Sequence, residues 1–150
     1  MHYVVLDPPD NLQVVLAVPA FELSTAEARR VLPKDVSHQD AVFNVGRAAL
    51  FVAAWTSKRW DLVGKGMEDR LHQPMRGALV PGLMEVLEAA KGAGAIGAAL
   101  SGAGPSVLAL ALEEQAAAVA QGMKNAFSSH GIHCRIIRTT PARRGAFLAD

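Results

Sequence analysis

Cysteine is nearly absent: Cys134 is the only one in 150 residues, and one tyrosine and two tryptophans are present. A lone cysteine excludes an internal disulfide and leaves no partner for a thiolate metal site, which suits a reducing cytoplasm. Charge of one sign is missing too. Fifteen Lys plus Arg against fourteen Asp plus Glu leave a net charge of +1, so no global field draws in nucleic acid or an anionic membrane. No apolar run reaches the roughly 18 uninterrupted residues of a membrane helix. Met1 to Asp7 has no basic region ahead of its short apolar run, which argues against a secretory leader. The sequence thus reads as soluble and cytoplasmic, without a nucleic-acid or membrane partner. One local bias exists: Lys124, Arg135, Arg138, Arg143 and Arg144 stand against Asp150 alone after Gln115, an excess suited to an anion.

What is present is a core. Hydrophobic residues make up 51% and charged residues 19%, with a mean hydropathy of +0.20; a chain this apolar buries a hydrophobic interior. The length corresponds to one domain, 1–150, and two large domains do not fit. Tyr3 to Leu6 and Leu12 to Val18 are apolar runs around Asp7-Pro8-Pro9-Asp10-Asn11, which predicts two strands joined by a turn, the second stopped by Pro19. Ser24-Thr25-Ala26-Glu27 fits a capping box ahead of a helix that Pro33 limits to about two turns. Ser37 to Asp40 repeats the pattern before a helix to about Trp55, with Val42, Val45, Ala49 and Val52 as its apolar stripe and Asp40, Asn44 and Arg47 on another face.

Trp60 to Gln73 reads as a helix or helix pair, weakened by Gly64 and Gly66 and ended by Pro74. Pro81-Gly82 restarts the chain into a helix with Leu83, Val86, Leu87 and Ala90 inward. Ala95 to Leu100 and Ser106 to Leu112 are strands on either side of a glycine loop. An alanine-rich helix follows from Glu113 to Ser129 with Gly131 at its C-cap, then a last strand over His133 to Thr139. This order predicts one α+β domain, a ferredoxin-like antiparallel sheet with helices packed on one face.

Several motifs invite chemistry. Gly92-Ala93-Gly94-Ala95-Ile96-Gly97 satisfies G-x-G-x-x-G, but a helix precedes it and a strand follows, the reverse of a dinucleotide fold. Ser101-Gly102-Ala103-Gly104-Pro105-Ser106 is compatible with two readings: a loop whose bare backbone amides receive an anion, or a hairpin needing glycine only for its turn. Arg29 and Arg76 are suited to bidentate carboxylate or phosphate recognition, or equally to a solvated helix end. Thr25 sits where a hydroxyl either satisfies backbone or meets a substrate. Glu68 and His72 are spaced for a surface pair, and Met67-Glu68-Asp69-Arg70 reads most simply as a solvated helix face. His130-x-x-His133-Cys134 straddles a helix end and a strand start, so no metal site is assigned.

Four stretches together resemble the C-terminal half of homoserine kinases, members of the GHMP small-molecule kinases. They are Pro19 with Leu23-Ser24-Thr25-Ala26-Glu27-Ala28-Arg29; Asp40-Ala41-Val42-Phe43-Asn44; Met67 to Arg76 leading into Val80-Pro81-Gly82; and Leu100 to Ser106. The resemblance covers nearly all of the chain. It implies transfer of the ATP γ-phosphoryl, with magnesium, to the side-chain hydroxyl of L-homoserine in threonine biosynthesis. By the same resemblance Arg29 and Arg76 clamp the homoserine carboxylate and Thr25 stands close to the reacting centre. Gly102 contributes to the substrate site, and Ser101, Ala103 and Gly104 to the phosphate site, through their backbones.

Two departures from the family pattern follow. Ala103 stands where a serine is common, a mild change for a loop acting through its backbone. The family's main ATP-phosphate loop, Pro-x-x-x-Gly-Leu-Gly-Ser-Ser, occurs nowhere in these residues. ATP and magnesium are therefore expected mainly on an N-terminal kinase half as partner, and the chain alone is expected to be inactive. A homodimer remains open. The competing reading is a non-catalytic ferredoxin-like module that binds an amino acid or a protein.

Overall fold

The protein's computed structural model describes residue 2 and residues 4–143. Its centre is β1 (Leu12–Pro19), which has antiparallel neighbours on both sides: β3 (Val107–Leu112), from Leu12 opposite Leu112 to Ala17 opposite Val107, and β4 (Cys134–Thr139), from Val14 opposite Thr139 to Pro19 opposite Cys134. The short β2 (Gly97–Leu100) completes the order β2-β3-β1-β4. This antiparallel order, with helices in both crossovers, is the ferredoxin-like arrangement that the element sequence predicted.

Six helices join these strands: α1 (Thr25–Arg30), α2 (His38–Thr56), α3 (Trp60–Gly66), α4 (Gln73–Gly77), α5 (Leu83–Gly92) and α6 (Glu113–Ser129). Strand alternation sends Val15, Ala17, Val107 and Ala109 to one face, where Val86, Leu87 and Ala90 of α5 and Val119, Met123 and Phe127 of α6 bury them. The opposite face carries Leu12 and Leu110, which Ala54 of α2 and Val63 of α3 close over at one end. Burial of a side chain such as Phe127, fully inaccessible here, stabilises the fold by about 1.5–3 kcal/mol.

The two glycines of α3, which weaken a helix on propensity alone, serve close packing. A Cβ at Gly64 would fall 2.0 Å from the Ile96 carbonyl oxygen, and one at Gly66 2.6 Å from the Phe51 Cα.

Three expectations are corrected. Residues 4–6 form no strand and Tyr3 lies outside the described residues; both edges of β1 are already taken, and Val4 and Val5 are 83% and 74% exposed. The stripe on α2 is not core: Val42, Val45 and Val52 are 56%, 71% and 51% exposed, because α2 turns Phe51, Ala54 and Trp55 toward α3 and the sheet instead. Pro74 does not end a helix but occupies the first turn of α4, where its missing N–H has no helical acceptor to lose.

Candidate active site

Ser24 builds the first wall. Its hydroxyl accepts the Glu27 amide at 3.1 Å and the Glu27 carboxylate accepts the Ser24 amide at 3.3 Å, the expected capping box, while the Ser24 hydroxyl also donates to that carboxylate at 2.8 Å. Those bonds hold the exposed Glu27 carboxyl below the usual carboxylate range. Thr25 is thereby fixed as the first helical residue of α1, and Arg29 emerges in its last turn. The Arg29 guanidinium is exposed and has no partner among the described residues.

Arg76, on α4, is the element that joins separate parts of the chain. Its Nε donates to the Ala28 carbonyl at 3.1 Å and its Nη1 to the Gly102 carbonyl at 3.1 Å, with His72 Nδ1 at 3.4 Å from the same nitrogen. One guanidinium thus bridges α1, one residue before Arg29, and the glycine loop. Its Nη2 hydrogens have no protein acceptor among the described residues, so they remain available to an anion.

The loop divides its amides between two uses. Ser101 N–H donates to the Ser106 carbonyl at 2.8 Å and Gly104 N–H to the Ser101 carbonyl at 3.1 Å, closing the turn. The Gly102 and Ala103 amides donate to no protein acceptor among the described residues. Gly102 has φ +62° and open space where a Cβ would stand, whereas Gly104 has φ +88° and Leu100 Cδ2 only 3.3 Å from that position. Both glycines are needed for the turn's left-handed backbone, and the Gly102 and Ala103 amides are left over for a ligand.

Sequence reasoning missed Asp69 and Gln73. The solvated-face reading of residues 67–70 fails at Asp69, whose side chain is 7% exposed. Its carboxylate accepts Asn44 Nδ2 at 2.6 Å and the amides of Leu71, His72 and Gln73 at 3.1, 2.8 and 2.6 Å. Burial alone would raise its pKa, but these donors outweigh burial and hold the carboxyl below its ordinary value. Gln73, also buried, accepts the Leu100 amide at 2.8 Å just before the loop. The available signal was an aspartate shortly before a proline-containing first turn, a common way of satisfying orphan helix donors. Glu68 pairs with Arg47 at 2.8 Å and Lys65 at 3.1 Å, and His72 instead faces Asp69 and Arg76.

Of the basic C-terminal group, Arg143 pairs with Asp10, Lys124 and Arg138 line a cleft of about 640 Å³ between α6 and β4, and Arg144 and Asp150 lie outside the described residues. That cleft shares no residue with the Arg76 assembly. No described helix is long and apolar enough to cross a membrane.

The family description "GHMP kinases C terminal" matches residues 48–129, more than half of the chain. The chain belongs to the GHMP kinases. Several of the proteins it is similar to are homoserine kinases. A homoserine kinase of Carboxydothermus hydrogenoformans is 45% identical over 139 residues, covering 93% of this chain and 45% of the relative. One of Halothermothrix orenii is 36% identical over 148 residues, covering 99% and 47%. The crystal structure of a homoserine kinase from Cytophaga hutchinsonii superposes with a TM-score of 0.86 at 36% identity, over 91% of this chain and 44% of that one. This GHMP kinase domain therefore spans about half the length of the curated relatives it matches.

Proposed function

We propose that this GHMP kinase domain is the substrate-binding half of a homoserine kinase, acting in the cytoplasm on L-homoserine and ATP together with an N-terminal kinase half. The observation that carries the reading is the Arg76 guanidinium, which ties α1, at the residue before Arg29, to the glycine loop and leaves Nη2 without a protein acceptor among the described residues. Two guanidinium groups over one carboxylate supply charge-assisted hydrogen bonds and fix the amino acid's orientation. Thr25 lies one helical turn before Arg29 on α1, and its hydroxyl is assigned to the reacting end. The Gly102 and Ala103 amides suit phosphate oxygens, which phosphoryl transfer stabilises through position and charge. Ser101 and Gly104 act by shaping the turn that presents them.

The described residues do not fit a magnesium site at the loop. Asp69 is filled by four donors, and Glu27 is committed to Ser24, so no step is assigned to the metal on this chain. A non-catalytic amino-acid-binding or interaction module is not favoured, because the matching relatives are homoserine kinases.

The test joins this chain to the N-terminal half of the Carboxydothermus relative and measures ATP-dependent phosphohomoserine. The joined polypeptide is expected to be active and the 150-residue chain alone inactive. A folded, ATP-binding joined protein that phosphorylates other small alcohols but not homoserine would overturn the reading.

A further inference from the structure

We propose that Asp69 is a positioning residue that aims Arg76, acting through the turn it winds between α3 and α4. The inference rests on reading Arg76 as a substrate ligand, but the link from Asp69 to Arg76 is measurable without substrate.

α4 has five residues, too few for a helix to hold its direction by its own hydrogen bonds. Its direction is set where it begins. There the Asp69 carboxylate gathers three successive amides, those of Leu71, His72 and Gln73, onto one buried group. Asn44 anchors that group to α2 from both sides: its Nδ2 donates to Asp69 Oδ1 at 2.6 Å, and its Oδ1 accepts the Arg70 amide at 2.9 Å.

Gln73, the last amide in the set, leads into α4 and holds the Leu100 amide with its side chain. Arg76 follows within one turn, its own amide bonded to the His72 carbonyl at 2.9 Å. Its long side chain then reaches Ala28 and Gly102. A small rotation at the base of α4 becomes a larger displacement at the guanidinium, and misplacement by about 1 Å near a reacting substrate commonly costs up to about a hundredfold.

The chemistry requires a carboxylate. Oδ1 accepts from Asn44 and Leu71 while Oδ2 accepts from His72 and Gln73. The isosteric Asp69→Asn places an NH2 opposite one of those pairs of donors, so at least two of the four bonds are lost at almost unchanged shape.

The primary readout is the Arg76 Nε–H in the 15N-labelled chain, which the bond to Ala28 protects from exchange. In Asp69→Asn its exchange is expected to rise about tenfold or more, while amides of β1 and β3 keep their protection. In the joined enzyme, KM for homoserine should rise about tenfold, with kcat and the KM for ATP within about twofold. Glu68→Gln, which removes only the neighbouring pairs with Arg47 and Lys65, should change neither. If Asp69→Asn does not fold, Asn44→Ser removes the anchor alone and should move the same two readouts less far.

A folded Asp69→Asn that melts earlier yet keeps Arg76 Nε–H protection and the homoserine KM overturns the proposal, leaving Asp69 a purely structural group. The same unchanged pair of readouts in Asn44→Ser also overturns it. If Arg76→Ala leaves homoserine KM unaltered while Asp69→Asn still frees the Arg76 Nε–H, the reading of Arg76 as substrate ligand fails and the coupling stands.

Discussion

Arg29 and Arg76 differ in what they do before any substrate arrives, and the difference is measurable on the chain itself. Arg76→Ala deletes the donor to the Ala28 carbonyl and the donor to the Gly102 carbonyl. A hydrogen bond from a charged donor contributes about 1.5–3 kcal/mol when well shielded, and these lie partly in solvent, so about 1 kcal/mol each is the reasonable figure. The loss is therefore about 2 kcal/mol. At this chain length 1 kcal/mol moves the midpoint by roughly 2–4 °C, so Arg76→Ala should lower Tm by about 4–8 °C. Arg29 is exposed and unpaired among the described residues, and such a substitution stays within about 0.5 kcal/mol, or less than about 2 °C. Thermal unfolding followed by far-UV circular dichroism at neutral pH gives both values. Equal Tm losses for the two variants, or an unchanged Tm in Arg76→Ala, would refute the bridging role.

The loop glycines should separate in the same assay. Gly102→Ala meets open space and costs only the left-handed backbone, about 1 kcal/mol, whereas Gly104→Ala adds the 3.3 Å contact with Leu100 and should cost more. Ser24→Ala removes the α1 capping box and should cost about 1 kcal/mol in denaturant titrations. Asp69 sets a pH dependence. Its folded pKa is lowered, so its contribution to stability is complete above the ordinary carboxylate value of about 3.9 and is lost as pH falls through the lower folded value. The stability gap between the unmodified chain and Asp69→Asn should therefore be constant from about pH 5 to 7 and narrow as pH falls below about 3.9, as urea unfolding would show.

Much of the fold was legible because its signals are local. Leu83, Val86, Leu87 and Ala90 repeat at helical spacing, and all four are buried on α5. α6 begins and ends at the residues expected, with Gly131 past its end at φ +70°. The α2 valines show where such a signal stops. Periodicity marks an apolar side, but whether anything in the same chain covers it depends on tertiary geometry, and here Phe51 and Trp55 take the inner position. Asp69 was misread for the converse reason. A run of alternating charges looks solvated until its backbone leaves the helix and turns amides back onto one carboxylate. Arg76 could be named from its motif, but the bonds joining it to Ala28 and Gly102 span 48 and 26 residues of sequence, a distance no local pattern encodes.

The central claim, that Arg29 and Arg76 hold the homoserine carboxylate, is tested most directly by steady-state kinetics of the two alanine variants in the joined enzyme. Loss of a desolvated charge-assisted contact typically costs about 2–5 kcal/mol, roughly thirtyfold or more in kcat/KM for homoserine. Each variant is expected to show that loss while its KM for ATP stays within about twofold of the parent value. An unchanged homoserine kcat/KM in both variants would contradict the account.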